Sequence, residues 1–290
     1  MSSECKNATA PINISKESVS GSCTDKCNYM FNYHGSSCNV FRSEKYLELD
    51  YDDSSKQPVT FNSVSQYVYK VRIYCPSLHT FNGEHAPAEI IIGHNGNGSN
   101  LLVCVPLMES EISSECSKMM DKIVNDTEKL APKVGNRASL NVSNYNLNNI
   151  VPKLPYFFYE GTLPFPPCNG NYNLVVFHTN TFNTIKKPVL NKLKKMLKKH
   201  NTQIRTGSKL FLSGLSSHGH DSDDIYISCQ PVTEGKKVKY QNNNNTQEGF
   251  SNISDNFMTY SNNKLIINQH IVPLTIGSIF IIGLLYNRSK

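Results

Sequence analysis

The sequence predicts a mainly β protein with peripheral helices, built on a large, twisted and mostly antiparallel central sheet and followed by a C-terminal membrane-anchor helix. Several segments alternate apolar and polar residues with a period of two, which is typical of half-buried strands. Two other segments have the helical period, and an uncharged apolar run lies near the C-terminus. A hydrophobic fraction of 38% in 290 residues permits a substantial buried core.

The strands are predicted from alternation and from continuous apolar runs bounded by turn residues. They cover residues 46–51, 68–74, 89–94, 101–107, 173–177 and 225–229. The run at 101–107 is apolar throughout, as expected of a strand that is covered on both faces. Residues 20–40 and 135–150 lack such spacing and are expected to be irregular.

Two helices are predicted from apolar residues that recur on one face. The first covers residues 113–130, with an apolar face formed by Ile112, Cys116, Met119, Met120 and Ile123. The second covers residues 186–200, with an apolar stripe formed by Val189, Leu193, Met196 and Leu197. Lysines fill the opposite face of this second helix and make it strongly basic.

The chain is expected to have three parts: a folded domain at 1–234, a flexible Asn-rich linker at 235–263 and a membrane anchor at 264–290. The linker is low in complexity and lacks apolar spacing. Residues 271–286 carry no charge, although a bilayer span usually takes about 20 apolar residues, so a buried core helix is the alternative. The N-terminus has no basic segment followed by an apolar run, so no signal peptide is expected.

Charge and cysteine content limit the partners. A net charge of +6 favours polyanions without requiring nucleic acid, which is not expected as a partner.

The chain has nine cysteines, so some disulfides are expected, and the odd number leaves at least one thiol unpaired or intermolecular. Cys23, Cys27 and Cys38 suggest part of a zinc knuckle, but no second ligand pair follows at the required spacing.

Two segments resemble diagnostic segments of the α-carbonic anhydrase family. Residues 77–95, SLHTFNGEHAPAEIIIGHN, resemble S-E-H-T-x-[DN]-G followed by P-A-E-L-H-L-V-H-W-N. Residues 156–168, YFFYEGTLPFPPC, resemble Y-x-x-Y-x-G-S-L-T-T-P-P, and residues 10–14 resemble the end of Q-S-P-I-N-I. The resemblance covers residues 8–232 and implies an α-carbonic-anhydrase-like fold.

The resemblance also implies where a catalytic zinc would be bound. In the family three histidines bind the metal, and the fourth position holds a water whose pKa falls to about 7. The corresponding positions in this chain hold Arg72, Tyr74 and Ile91. A guanidinium has no lone pair to offer a metal, and isoleucine has no donor atom.

The groups that assist the zinc hydroxide in the family are replaced as well. Pro164 stands where a threonine orients the hydroxide, Leu78 where a glutamate holds that threonine, and Phe165 at the second threonine. The sequence therefore predicts no catalytic residues, no metal, no cofactor and no enzymatic activity. Among other histidines, His79 and His94 match structural positions of the family, and residues 218–221, HGHD, are expected to form a polar loop.

These features resemble a catalytically inactive branch of the family that poxviruses carry in their envelope. That resemblance implies a non-enzymatic virion-surface protein that attaches to host cells by binding sulfated glycosaminoglycan, either chondroitin or heparan sulfate. It also implies a virion-membrane location, with a single C-terminal span and the domain on the exterior.

The basic segment supplies the candidate glycan-binding residues, because sulfated polymers bind clustered cations. These are Lys186, Lys187, Lys192, Lys194, Lys195, Lys198, Lys199 and Arg205. A solvated helix face is the alternative explanation of the same pattern. The alternative function is a structural scaffold of the virion membrane or capsid, in which cysteines link the chain to other virion proteins or to itself and no glycan is bound.

Overall fold

The computed structural model describes residues 5–23, 26–52, 56–181 and 183–213. The chain divides into two compact units, Met1–Asp221 and Ser222–Lys290, and all described residues lie in the first. The predicted linker and anchor, the domain boundary at 234, the loop at 218–221 and the strand at 225–229 therefore lie outside the described residues. Within the described ranges, no helix is long and apolar enough to cross a membrane.

The described part of the chain is mainly β, with two α-helices at its periphery. The helices are α1 (Glu115–Leu130) and α2 (Lys187–Met196). The strands are β1 (Asn13–Ile14), β2 (Val19–Cys23), β3 (Tyr29–Phe31), β4 (Gly35–Arg42), β5 (Tyr46–Leu49), β6 (Val59–Phe61), β7 (Val64–Tyr74), β8 (Thr80–Phe81), β9 (Glu84–His85), β10 (Ala88–Gly96), β11 (Ser99–Glu109), β12 (Arg137–Asn146), β13 (Tyr156–Gly161), β14 (Tyr172–Phe177), β15 (Thr184–Ile185) and β16 (Leu210–Ser213).

The described strands form a large mixed sheet of thirteen strands and a small sheet of three. The main path of the large sheet runs β12-β4-β5-β7-β10-β11-β14-β13-β16-β2. Most neighbours are antiparallel, as predicted, but β11 pairs with β14 and β16 pairs with β2 in parallel. The predicted strands within the described ranges are confirmed as β5, β7, β10, β11 and β14.

The centre of the sheet is buried on both faces. Ile90 and Ile92 of β10 contact the cluster beneath α1 and α2, whereas Ile91 belongs to a second cluster on the opposite face. Successive side chains of a strand point to opposite faces, so this division follows directly from the alternation along β10. The continuous apolar composition of β10 and β11 is explained by this two-sided burial.

A β-bulge interrupts the pairing of β7 with β10. Val68 pairs with His94 and Lys70 pairs with Gly93, so Tyr69 is an extra residue without a direct partner. A bulge changes the face to which the following side chains point. On a regular strand, side chains of one face are two or four positions apart. Val68 and Val71 are three positions apart and still belong to the same core cluster, because the bulge lies between them.

The predictions of irregular structure at 20–40 and 135–150 were wrong. Residues 20–40 contribute to β2, β3 and β4, and β12 covers Arg137–Asn146. The pairing partner of β12 is β4, about a hundred residues earlier in the chain, with a register shift between Leu140 and Tyr145. Long-range pairing thus overrides the turn-rich composition of these segments.

Both helices are shorter than predicted. The side chain of Ser114 accepts a hydrogen bond from the Ser117 backbone, and this capping box starts α1 at Glu115. Ile112 therefore precedes the helix and is 71% exposed, so its predicted place in the apolar face was wrong. Helix α2 ends at Met196, because the backbone of Leu197 is extended and its side chain is buried. The backbone N–H of Lys198 then donates to the backbone carbonyl of Glu44 instead of continuing the helix.

Candidate functional site

A cleft of about 1110 Å³ lies on the face of the sheet that carries Ile91. It brings together five of the six residues that the resemblance placed at catalytic positions. These are Arg72, Tyr74, Leu78, Pro164 and Phe165. Ile91, the sixth, lines a smaller cavity that shares Arg72 and Phe165 with the cleft. Arg72, Tyr74 and Ile91 lie close together on the neighbouring strands β7 and β10. Ile91 pairs with Arg72, and Tyr74 pairs with Glu89, two positions before Ile91.

Arg72 is held in the cleft by charge and by stacking. Its Nε and Nη2 both donate to Glu48 Oε2 at 2.9 Å. Its guanidinium lies over the rings of Tyr46 and Phe165, 4.5 Å from each centroid. A guanidinium over an aromatic ring gains cation–π attraction. A permanently charged group that is already paired thus occupies the position that the sequence resemblance assigns to one zinc ligand.

Tyr74 is buried beneath the cleft and stacks on Phe165 with 5.9 Å between ring centroids. Burial raises the pKa of Tyr74 well above its usual range, although the charge of Arg72 opposes the shift. Its phenol is therefore neutral at physiological pH. A guanidinium, a neutral phenol and an isoleucine do not form a zinc site, so the residues at these positions do not fit the metal of the family.

His79 and Glu89 form a buried pair behind the cleft. His79 Nδ1 donates to Glu89 Oε1 at 2.7 Å, because the carboxylate can only accept, and the Tyr159 hydroxyl donates to His79 Nε2 at 2.7 Å. Glu89 Oε2 accepts the backbone N–H groups of Leu78 at 2.7 Å and His79 at 3.2 Å. Burial opposes ionisation of Glu89, but the adjacent His79 ring and these hydrogen bonds outweigh it and lower the pKa of Glu89.

Within the described ranges, the only group of three convergent metal-ligating side chains is His79, Glu89 and Cys104. Their ligand atoms lie within 4.8 Å of one another, and all three are buried. Burial raises the pKa of the Cys104 thiol well above its usual value, so the thiolate that a metal needs is disfavoured. Both ring nitrogens of His79 already have partners. His79 and Glu89 therefore belong to a hydrogen-bonded network, and the group does not fit a zinc ion.

His200 also lines the cleft, beyond the end of α2. Its Nε2 atom lies 3.0 Å from the carbonyl oxygen of Pro76 and 3.1 Å from that of Ser77, so this N–H donates to the backbone. Burial lowers its pKa. The ring therefore holds the cleft wall to the chain after β7.

The predicted glycan-binding residues do not form one cluster. Lys186 and Lys187 lie at the start of α2, and Lys194 and Lys195 lie in its last turn, about 12 Å further along a helix with a rise of 1.5 Å per residue. Arg205 lies on the cleft wall, where its Nη2 donates to the Cys5 carbonyl at 2.8 Å. Four of the lysines have acidic partners. The pairs join Lys186 to Asp121 at 2.8 Å, Lys192 to Glu128 at 2.7 Å, Lys198 to Glu44 at 2.6 Å and Lys187 to Glu109 at 4.0 Å.

The other three predicted lysines, Lys194, Lys195 and Lys199, are exposed and form no ion pair with a described residue. Lys199 lies near the cleft, because the next residue, His200, lines it and the preceding Lys198 binds Glu44, which also lines it. Lys6 and Lys45 add further cations to the cleft lining. The sequence pattern did not distinguish paired from unpaired lysines, since the acidic partners lie on α1, at the end of β11 and on the segment before β5.

Two disulfides are present in the described part of the chain, and the predicted disulfide content is confirmed to that extent. Cys5 bonds to Cys168, and Cys23 bonds to Cys27. The second bond replaces the suggested zinc knuckle, and its expected third member, Cys38, is a buried free thiol. Cys229 lies outside the described residues.

Sequence reasoning missed Glu48, Tyr46 and Tyr159, which hold the site together. Tyr46 and Glu48 are two positions apart and therefore share one face of β5. They pair with Tyr74 and Arg72 of β7, so the sequence could have indicated them only if the pairing of β5 with β7 had been known. Tyr159 lies in the Y-x-x-Y segment that carried the family resemblance. Its bond to His79 spans 80 residues and has no local signal.

Comparison with known proteins agrees with this architecture. A family model described as eukaryotic-type carbonic anhydrase matches residues 2–210. The chain is similar to the α-carbonic anhydrase of Thermovibrio ammonificans, solved with the inhibitor sulfanilamide, at 18% identity and a TM-score of 0.59 over 70% of this chain and 86% of that one. It is also similar to the Photobacterium profundum α-carbonic anhydrase, at 15% identity and a TM-score of 0.60 over 71% and 89%.

A third similar structure is carbonic anhydrase Cah3 from Chlamydomonas reinhardtii in complex with acetazolamide, at 13% identity and a TM-score of 0.58 over 71% of this chain and 91% of that one. Comparison with curated protein sequences gives no significant match. At these identities the solved structures show the fold alone. The family model, however, spans more than half of the sequence, and the chain therefore belongs to the eukaryotic-type carbonic anhydrase family.

Proposed function

We propose that the chain is a non-enzymatic adhesion protein of a virion surface, which binds sulfated glycosaminoglycan, either chondroitin or heparan sulfate, and is held in the membrane by its C-terminal segment. The observation that carries the proposal is the group of unpaired lysines at the end of α2, beside a large cleft with further cations. The resemblance to the viral branch supports the location.

The basic surface is suited to a sulfated polymer. Lys194, Lys195 and Lys199 are exposed and form no ion pair with a described residue, although Lys195 contributes to the lowered pKa of Glu128, so their charge is available to a ligand. Cations in the last turn of a helix, such as Lys194 and Lys195, are also stabilised by its dipole. Lys45 and Arg205 in the cleft lining extend the same surface. A polymer with regularly spaced sulfates can contact several of these groups at once.

The replaced ligand positions support a non-enzymatic role. The full chain, dialysed against zinc and then against metal-free buffer, is expected to retain well below one zinc per molecule by elemental analysis. It is also expected not to accelerate carbon dioxide hydration, since Arg72, Tyr74 and Ile91 provide no lone-pair set for the metal. An active α-carbonic anhydrase serves as the assay control. One bound zinc together with carbon dioxide hydration would overturn the proposal.

Charge reversal tests the adhesion surface. The variant K194E/K195E/K199E of the full chain is expected to bind immobilised chondroitin or heparan sulfate about ten- to a hundredfold more weakly, since each exposed contact contributes ~0.5–1 kcal/mol. Higher salt should weaken the binding of the unchanged chain, because exposed charges are screened. Surface plasmon resonance at two salt concentrations measures both effects.

The control variant is K26E/K118E/K153E, which makes the same change in net charge at exposed lysines away from the end of α2 and from the cleft. It is expected to bind within about twofold of the unchanged chain, because its lysines lie outside the proposed surface. Equal loss in both variants would show only a general charge effect and would contradict the assigned surface. No binding by the unchanged chain would favour the scaffold role.

A further inference from the structure

A second cavity of about 310 Å³, here called the tyrosine pocket, adjoins the cleft. Its defining residues are Tyr69, Tyr172, Asn95, Asn100, Ile91 and Leu102. Arg72, Phe165 and Pro166 line both cavities. The volume is at the lower end of the range of about 300–1,000 Å³ for small-ligand sites, so the pocket suits one ring and its substituents.

Two local features place the tyrosine rings in the pocket. Tyr69 is the extra residue of the bulge in β7, and its ring covers Gly93, where an alanine Cβ would lie 2.5 Å from Tyr69 Cζ. The ring of Tyr172 lies against Gly170, where a Cβ would lie 3.0 Å from Tyr172 Cε2. Each ring thus occupies the space that a side chain at position 93 or 170 would take if the glycine were replaced. Tyr69 nevertheless stays 41% exposed, so its ring is available to a ligand.

The described lining of the pocket has no uncompensated charge. Its cations are Lys70 and Arg72, and no acidic residue lines it. Lys70 binds Asp50 at 2.9 Å and Glu48 at 3.3 Å, and Arg72 binds Glu48 at 2.9 Å. An added sulfate would compete with carboxylates that are already paired. The pocket therefore favours an uncharged ligand, in contrast to the unpaired lysines at the end of α2.

We propose that the tyrosine pocket binds one uncharged pyranose ring with an N-acetyl group, such as the N-acetylhexosamine unit of a glycan chain. The apolar face of a sugar ring packs on tyrosine rings, whose hydroxyls remain able to form hydrogen bonds. The amides of Asn95 and Asn100 offer donors and acceptors for hydroxyls, and Ile91 and Leu102 offer an apolar contact for the acetyl methyl group. This inference rests on the proposed function, because it assigns one sugar unit of the bound polymer.

The probe is the methyl glycoside of N-acetylgalactosamine or N-acetylglucosamine, and saturation-transfer NMR on the full chain measures its binding. A single sugar unit is expected to bind weakly, with a Kd of about 1 mM. Tyr69→Ala is expected to reduce the transferred signal about fivefold or more, because it removes the stacking ring. Tyr67→Ala is the matched control, since Tyr67 lies on the same strand, is 38% exposed and does not line the pocket.

Gly93→Ala provides a second test, since the new methyl group must displace the Tyr69 ring. It should reduce the signal as Tyr69→Ala does. Gly35→Ala is its control, because nothing lies within 4 Å of the added atom. Circular dichroism checks that each variant is folded. Equal signals from Tyr69→Ala and Tyr67→Ala, or from Gly93→Ala and Gly35→Ala, would overturn the assigned pocket.

The two proposals fail in different ways. If the unchanged chain binds sulfated polymer but gives no signal with either glycoside, the pocket proposal is overturned and adhesion stands. If the glycoside signal depends on Tyr69 but the polymer does not bind, adhesion is overturned and the pocket stands. A sulfated glycoside that binds more tightly than the neutral one, with the same dependence on Tyr69, would overturn the assignment of an uncharged ligand.

Discussion

Replacing His79 with alanine is expected to lower the free energy of unfolding by about 3–5 kcal/mol, because it leaves a buried carboxylate oxygen and a buried hydroxyl without a partner, at about 1–3 kcal/mol for each group. The variant loses the donor at 2.7 Å from Glu89 Oε1 and the acceptor at 2.7 Å from the Tyr159 hydroxyl. Both groups stay buried. The carboxylate then keeps two backbone donors, which offset only part of the cost of its buried charge.

Urea unfolding at neutral pH measures this change. His85→Ala is the matched control, since His85 is an exposed histidine on β9 and its replacement should alter stability by no more than about 0.5 kcal/mol. The double variant H79A/E89Q should recover part of the loss, because glutamine carries no charge into the core. Equal stability of His79→Ala and His85→Ala would contradict the description of a tightly coupled network.

The fold was predictable where a local pattern matched the final environment. Alternation identified β5 and β7, and the apolar composition of β10 and β11 matches their burial on both faces. Strand β12 could not be found in this way, because its stability comes from pairing with β4 and from packing of α1, not from its Asn-rich sequence. Local propensity is a weak guide for such strands.

The candidate site was predictable only as far as motifs extend. The resemblance located Arg72, Tyr74 and Ile91, and the structure brings them together on adjacent strands. The partners that hold Arg72 needed the pairing of β5 with β7. The bulge at Tyr69 is invisible in the sequence, because it exists only as a shift in register between two strands. The tyrosine pocket therefore had no sequence signal.

The second large effect expected is a loss of stability in acid that depends on His94. This residue is fully buried, and its Nε2 lies 2.9 Å from the Tyr33 hydroxyl, which lies 2.7 Å from the Tyr29 hydroxyl. Burial lowers the pKa of His94 from 6.5 to about 3, although backbone hydrogen bonding opposes the shift. The phenol of Tyr33 faces the ring, and no acidic side chain of the described residues pairs with the imidazole.

The direction of the pH effect follows from proton binding. Between pH 6.5 and about 3 the unfolded state binds a proton at His94 and the folded state does not, so the free energy of unfolding rises with pH. The stability contributed by neutral His94 is complete above 6.5 and is lost as the pH falls towards the folded pKa. Between neutral pH and about pH 4.5 the expected loss is about 2–3 kcal/mol, at 1.36 kcal/mol for each pH unit.

His94→Gln isolates this contribution. Glutamine retains a side-chain partner for Tyr33 but does not titrate, so the difference in unfolding free energy between the variant and the unchanged chain should shrink by about 2–3 kcal/mol on going from neutral pH to about pH 4.5. His85→Gln, at an exposed position, should leave the pH profile of the unchanged chain almost intact.

The lowered pKa of Glu89 also makes the fold sensitive to acid, since protons bind this carboxylate more readily in the unfolded chain. That contribution is present in the unchanged chain and in both glutamine variants, so it cancels in the comparison. If His94→Gln loses as much stability in acid as the unchanged chain, the buried imidazole is not the source of the effect. If the unfolding free energies of the two proteins fall in parallel with pH, the acid sensitivity comes from the carboxylates, of which Glu89 is buried.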